Sequence, residues 1–110
     1  MGQLVTIKEL SEQIGFKASK IRRWTKKGIL TPVSKSEDDG KSYLYEIDCV
    51  RIKTDIVKRI IIDFSLEEIG ARFQKVFGSR NSILIDELQQ TQNHSHLIRK
   101  YTEMVRVLEL

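Results

Sequence analysis

Cysteine is almost missing from this chain. Cys49 stands alone, so no internal disulfide and no cysteine-rich zinc site can form, and a reducing, cytoplasmic compartment is expected. Proline is as scarce: Pro32 is the one residue of its kind, leaving long stretches free to be helical. No apolar run reaches membrane-spanning length, and even Ile60-Ile61-Ile62 is broken at once by Asp63. A signal-peptide pattern is lacking as well. So are a nucleophile elbow, a glycine-rich phosphate loop, a set of metal ligands and a convincing carboxylate pair, and no enzyme or cofactor is expected. Glu67 and Glu68 are adjacent where a helix opens, a place where acidic side chains simply complement the dipole.

What the chain does have is positive charge, unevenly spread. Residues 1–80 hold 16 Lys and Arg against 11 Asp and Glu, while residues 81–110 hold 3 against 4. An anionic partner for the N-terminal part is implied. The excess peaks between Lys17 and Lys35, where Lys17, Lys20, Arg22, Arg23, Lys26, Lys27 and Lys35 occur with no acidic residue among them. A solvated basic face usually carries Glu or Asp partners, and this one has none.

The local pattern gives those charges a scaffold. Ile7, Leu10 and Ile14 recur on one helical face, Thr6 and Glu9 have capping-box spacing, and Gly15 ends the helix. A second helix is predicted from about Lys17 to Lys27, stopping at Gly28. Helix, glycine-containing turn and helix make a helix-turn-helix, whose second helix enters the DNA major groove. Ala18 and Ile21 would face inward, with Ser19, Lys20, Arg23, Lys26 and Lys27 fanned outward.

Leu4 and Val5 precede the Thr6 cap as a hydrophobic staple. Beyond Pro32, Val33 to Tyr45 reads as a short two-stranded ribbon turning at Asp39-Gly40, with Lys35 and Lys41 near its tip. The carboxylates of Glu37, Asp38 and Asp39 must point away from any phosphate. Glu46 to Asp63 is a strong helix, with Cys49, Ile52, Ile56 and Ile60 in one row and Val50, Val57 and Ile61 beside it. Cys49 on that stripe is read as packing. A second capping box, Ser65 to Glu68, opens a helix with core positions Leu66, Ile69, Phe73, Val76 and Phe77, closed by Gly78-Ser79.

Asn81 to Leu110 contains neither Pro nor Gly and is predicted as one long closing helix. Leu97, Tyr101, Met104 and Leu108 have the 4-3-4 spacing of a coiled-coil seam, and Gln89 to His96 is polar all round. A narrow stripe gives an isolated helix little reason to persist, so burial against a second copy is expected. Leu84, Leu88, Leu97, Ile98, Tyr101, Met104, Val105 and Leu108 are the candidate dimer contacts. The alternative is a helix packed back on its own domain. His94 and His96 diverge by about 200° on a helix, so one chain cannot bring both to one ion, and no metal site is expected.

Four stretches carry a family resemblance: Thr6-Ile7-Lys8-Glu9-Leu10; Ile21-Arg22-Arg23-Trp24 with Gly28-Ile29-Leu30; Tyr43-Leu44-Tyr45; and Phe64-Ser65-Leu66-Glu67-Glu68-Ile69. In their order the chain resembles the MerR family of transcription regulators over about residues 4–77. The resemblance implies a mostly α fold: a winged helix-turn-helix domain over residues 1–78, followed at 79–110 by a long helix that dimerises as an antiparallel coiled coil. It implies a homodimer on a palindromic promoter site in double-stranded DNA, distortion of that DNA, and altered engagement of RNA polymerase.

Departures from the family pattern are specific. Arg22 keeps the arginine of the family's Leu-Arg-Tyr-Tyr, Arg23 puts a charge where an aromatic contact is usual, and Trp24 is read as packing. Lys17 replaces the usual hydroxyl cap, so the recognition helix could begin as late as Ser19. Tyr43 occupies the place of a wing arginine, leaving Lys35 or Lys41 to meet the phosphate. Neither an effector domain nor a metal-binding cysteine loop is present in the sequence.

The expected function is sequence-specific regulation of transcription. Ser19, Lys20 and Arg23 would face base edges, Arg22, Lys26, Lys41 and the Tyr43 hydroxyl would hold phosphates, with Lys35 as the alternative to Lys41, and Lys17 belongs to the same DNA-binding set. An architectural or excisionase-like DNA-bending protein is the first alternative. An adaptor that binds other proteins through its closing helix is the second.

Overall fold

A computed structural model describes residues 3–35, 42–78 and 80–110. The chain opens on a two-residue strand, β1 (Leu4–Val5), then α1 (Ile7–Ile14) and α2 (Ala18–Lys26). Two strands follow, β2 (Ser34–Lys35) and β3 (Tyr43–Glu46), then α3 (Ile47–Ile60) and α4 (Leu66–Phe77). Two further helices, α5 (Ser82–Gln90) and α6 (His94–Val107), complete it.

Both capping boxes form. At α1 the Glu9 amide donates to the Thr6 hydroxyl at 3.3 Å, and the Thr6 amide donates to the Glu9 carboxylate at 3.0 Å. Ser65 and Glu68 exchange the same pair of bonds at α4, at 3.2 and 3.0 Å. Gly15 ends α1 at φ 77°, a left-handed conformation that glycine adopts without penalty. α3 begins one residue later than expected, because Glu46 belongs to β3 and caps the helix. Its carboxylate accepts from the amides of Asp48 and Cys49 at 2.8 and 3.1 Å.

Leu4 and Val5 are a strand, not merely a staple. β1 pairs antiparallel with β3 (Leu4 opposite Glu46, Val5 opposite Tyr45), and β2 pairs with the other edge of β3 (Ser34 opposite Leu44, Lys35 opposite Tyr43). The sheet order is therefore β1-β3-β2. The expected turn at Asp39-Gly40, with Lys41 and the carboxylates of Glu37, Asp38 and Asp39, lies outside the described residues.

The long closing helix is corrected. It is two helices, α5 and α6, with Thr91 extended (φ −146°, ψ 146°) between them and the Asn93 side chain accepting from the His96 amide at 3.0 Å to start α6 anew. The polar middle is the cause: Gln89 to His96 has no apolar face to bury, so breaking the helix there sacrifices little. The fold-back lets α5 and α6 both pack on α3 and α4. Leu84, Leu97, Ile98, Tyr101 and Val105 are consequently buried within one chain. Leu88 and Leu108 are half-buried and Met104 is 42% exposed, so no continuous seam is left on the surface.

Polar clasps hold the pair in place. Glu87 of α5 accepts from the Tyr101 hydroxyl at 3.0 Å and pairs with Lys100 of α6. Arg72 of α4 donates to the carbonyls of Val105 and Leu108, at 2.8 and 2.7 Å, with its guanidinium 4.2 Å from the centre of the Phe64 ring. One buried apolar cluster runs from Val5 to Val105. Cys49 is in it, as read from its place on the stripe, whereas Ile61 is 49% exposed because α3 ends before it.

One glycine decides how the helix-turn-helix meets this core. Gly70 lies in mid α4 with its Cα against the Lys27 carbonyl at the end of α2, and a Cβ there would overlap that oxygen. Alanine in mid-helix gains about 1 kcal/mol over glycine, but a clash with fixed backbone costs more. Gly70→Ala is expected to lower stability by about 1–3 kcal/mol in urea denaturation, against the propensity scale.

Candidate nucleic-acid interface

α2 is anchored by its apolar side. Ile21 is fully buried and Trp24 is 5% exposed, with the Phe16 ring edge-on to the Trp24 indole at 5.6 Å and 74°. On the groove side of α2, Thr25 donates its hydroxyl to the Ile21 carbonyl at 2.8 Å and shares a second 2.8 Å bond with the hydroxyl of Tyr45 on β3. That link ties the helix to the sheet, and burial raises the Tyr45 hydroxyl above its ordinary pKa.

With Ile21 and Trp24 setting the inward direction, the outward one follows. Ser19, Arg22, Arg23 and Lys26 are all exposed, and so is Lys17 just ahead of the helix. Lys20 is placed differently from the sequence reading, which set it among the outward residues. Burying Trp24 turns the helix so that Lys20 falls about 70° from the inward direction. It is half-buried there, its ammonium 3.9 Å from the centre of the Phe16 ring and 4.8 Å from that of Trp24. A cation over two ring faces is held by their quadrupoles. Lys27 also departs from the expected unpaired fan, because Glu67 at the start of α4 forms an ion pair with it. That partner is 40 positions away in sequence, beyond the reach of local charge counting. Glu67 is exposed, and its carboxyl is held below the usual range by the Lys27 hydrogen bond, its own backbone amide and the charge of Lys27.

α2 begins at Ala18, with Lys17 at the cap position and no side chain bonded to its first amides. The first turn of α2 has no acidic residue, so its positive dipole end is uncompensated. Among the described residues, Lys17, Arg22, Arg23 and Lys26 form no ion pair.

A groove of about 950 Å³ runs between α1, α2 and β3. Ala18, Arg22, Thr25 and Lys26 form one wall, Thr6, Ile7, Lys8, Ser11 and Glu12 another, and Ser42, Tyr43 and Tyr45 the third. It brings together Arg22, Lys26 and Tyr43, three of the residues assigned to phosphates, and adds Lys8, which sequence reading passed over. Lys8 stands i−3 and i−4 from Ser11 and Glu12, so the helical period already put the three on one side of α1. Tyr43 is 41% exposed, and Lys35, exposed on β2, lies with its ammonium 5.8 Å from the centre of that ring. Lys41 is outside the described residues. Among the described residues no group of three or more His, Cys, Asp or Glu could hold a metal ion. No helix among them is long and apolar enough to cross a membrane.

Residues 5–75, more than half of the chain, match the family described as MerR HTH family regulatory proteins. The chain belongs to the MerR family. No curated protein and no solved structure matches it. The family match runs from β1 to the last turn of α4, and so includes the groove, α2 and the Gly70 contact, while α5 and α6 lie beyond it. A MerR-family helix-turn-helix points to regulation of transcription through DNA and away from catalysis.

Removing one hydroxyl tests how firmly the sheet holds α2. Tyr45→Phe deletes the bond to Thr25 and leaves Thr25 its bond to Ile21. The expected loss is about 1 kcal/mol of stability by thermal denaturation, with helix content unchanged.

Proposed function

We propose that this MerR-family chain binds duplex DNA sequence-specifically and, as a homodimer on a palindromic promoter site, regulates transcription by distorting that DNA and so altering engagement by RNA polymerase. The observation that carries the reading is α2 itself: an inward face of Ile21 and Trp24, and an outward face of Ser19, Arg22, Arg23 and Lys26 with no carboxylate paired to it among the described residues. Such a face repels itself, and a polyanion relieves the repulsion. Arg23 and Ser19 are assigned to base edges, because a guanidinium pairs bidentately with guanine in the major groove. Arg22, Lys26 and Tyr43, gathered on the groove, are assigned to phosphates together with Lys8, Lys17, Lys35 and Lys41. Lys20, held over its two rings, contributes a fixed positive charge at the flank of α2.

Residues 1–78 then serve as the winged DNA-binding part, β2 and β3 forming the wing, and residues 79–110 as the part that brings two copies together. Since most apolar residues of α6 are internal, the second copy is assigned to what stays exposed: Met104 at 42%, Val107 at 64% and Leu110 at 66%. Bending DNA between two recognition helices costs on the order of 1–6 kcal/mol, recovered from the contacts the bend permits. The fold-back of α5 and α6 favours one competing reading, a monomeric architectural protein that bends DNA without a promoter-spanning dimer.

Sedimentation separates the two, a dimer supporting the first and a monomer that still bends DNA the second. Base and phosphate roles separate by titration of target against random duplexes. Arg23→Ala is expected to lose about 1–3 kcal/mol on the target and much less on random DNA. Lys26→Ala is expected to weaken both alike and to reduce the salt dependence by about one counterion. Equal losses for the two variants would overturn the assignment.

A further inference from the structure

Lys53 lies in mid α3 at 1% exposure, one of the largest fully buried side chains of the protein. An ammonium has three hydrogens to donate. Here it donates to the side-chain oxygen of Asn81, and its other neighbours are ring faces, with the centres of Phe77 and Phe73 at 4.9 and 5.9 Å. Asn81 is itself 2% exposed, with backbone φ of 57°, the left-handed region, at the cap of α5. Its amide nitrogen donates at 3.2 Å to the Thr31 carbonyl, immediately before Pro32. Gln74 of α4 holds the same segment by donating to the Gly28 carbonyl at 2.9 Å and to the Thr31 hydroxyl at 3.3 Å. A line of bonds, buried at Lys53 and half-buried at Thr31, therefore runs from the middle of α3, through the start of α5, to the exit of the helix-turn-helix.

We propose that Lys53 is a positioning residue for the recognition helix: through Asn81 its buried amine fixes the exit of the helix-turn-helix, and protonation of that amine loosens the hold, so that DNA binding weakens as the amine is protonated. The proposal rests on the DNA-binding reading given above.

The charged amine is poorly accommodated where it lies. No carboxylate pairs with it among the described residues. On its own helix the titratable neighbour is Cys49, whose thiol is pushed well up by burial and by Glu46 and is neutral. α4 presents Phe73 and Phe77, α5 presents Asn81, and the exit segment presents Thr31; none is charged. On α6, Tyr101 stacks behind Phe77 at 5.0 Å and turns its hydroxyl to Glu87. Burial accordingly lowers the Lys53 pKa from 10.5 to about 7. Below that value the amine is charged and water is favoured around it, which the cage admits by releasing Asn81. Above it the neutral amine keeps the bond at no charge-burial cost.

The sign for stability follows. Between about 7 and 10.5 the unfolded chain binds more protons at this group than the folded one, so its contribution to stability rises with pH across that window and is flat below it. Trp24, the one tryptophan of the chain, sits on α2 and reports its packing without DNA.

The test follows Trp24 emission of the full chain from about pH 6 to about pH 9, beside the affinity for a duplex the protein selects from random DNA. The wild type is expected to show a transition near neutrality that Lys53→Met abolishes. A variant with His94→Gln and His96→Gln is expected to keep it, which excludes histidine titration. Asn81→Asp is expected to abolish it too, because a carboxylate pairs with the ammonium and keeps the hold when the amine is charged. The wild-type affinity relative to that of Lys53→Met is expected to fall about three- to tenfold as pH drops through the transition. A wild-type transition that survives Lys53→Met, or disappears with the histidines, would overturn the proposal, as would no transition in the wild type. Should the emission change as expected while no duplex is ever selected, the DNA reading fails and the relay stands.

Discussion

The second helix of the helix-turn-helix ends against a neighbour that has no side chain at the point of contact. α2 can deliver its last carbonyls to the body of the protein because α4 offers Gly70 there, and the approach is close enough that any Cβ would displace Lys27. Around that contact the other links fall into place: Gln74 on the Gly28 carbonyl, Glu67 on Lys27, Asn81 on the Thr31 carbonyl. The far side of α2 is held by Tyr45 through Thr25. A nine-residue helix has no stability of its own in water, so its orientation is set by what it docks on. The orientation of the exposed basic face of α2 is thus inherited from α4 and β3.

The same economy explains the C-terminal helices. A continuous helix would present a narrow seam and need a second copy to cover it. Folding back covers Leu84, Leu97, Ile98, Tyr101 and Val105 within the chain. Each fully buried large apolar side chain contributes about 1.5–3 kcal/mol, while association of two chains first costs on the order of 4–15 kcal/mol in lost freedom. At low concentration the intramolecular solution wins, and the helix break is inexpensive because Thr91 to Asn93 bury nothing apolar. A partner copy has then to be met by side chains the fold leaves outside, such as Val107 and Leu110.

The parts of this fold that were legible in sequence are those fixed within a few residues. The two capping boxes, the Gly15 stop, the α3 stripe as far as Ile60 and the α4 core positions depend on spacing alone and formed as read, while Ile61 fell outside the helix. What sequence could not give depends on distant partners. β1 exists because Leu4 and Val5 find β3 some 40 residues later. Lys27 is paired because Glu67 arrives from α4. Lys20 is turned from the outward face because the inward direction of α2 is set by Ile21 and Trp24 together, and not by Ala18 and Ile21. Lys53 did leave a signal that went unused: it stands four residues after Cys49 and three before Ile56, on the apolar stripe itself. A lysine in such a row has either to leave the core or to be accommodated in it. Asn81, in a left-handed backbone conformation that asparagine tolerates better than most residues, is what accommodates it here.

Two kinds of positive charge therefore coexist in this protein, and their surroundings separate their roles. Arg22, Arg23 and Lys26 stand exposed to water, where mutual repulsion is screened and a polyanion can displace the counterions. Lys53 has been taken out of water and can hold its proton only at a cost to the cage around it. The first kind gives α2 something to bind; the second acts on how α2 is held. The exit of the helix-turn-helix is bonded both to α4, through Gln74, and to the cap of α5, so a single side chain, Asn81, stands between Lys53 and the segment that leaves α2. A binding surface that takes its orientation from its docking partners is sensitive to any group that alters the dock, even one that never meets DNA.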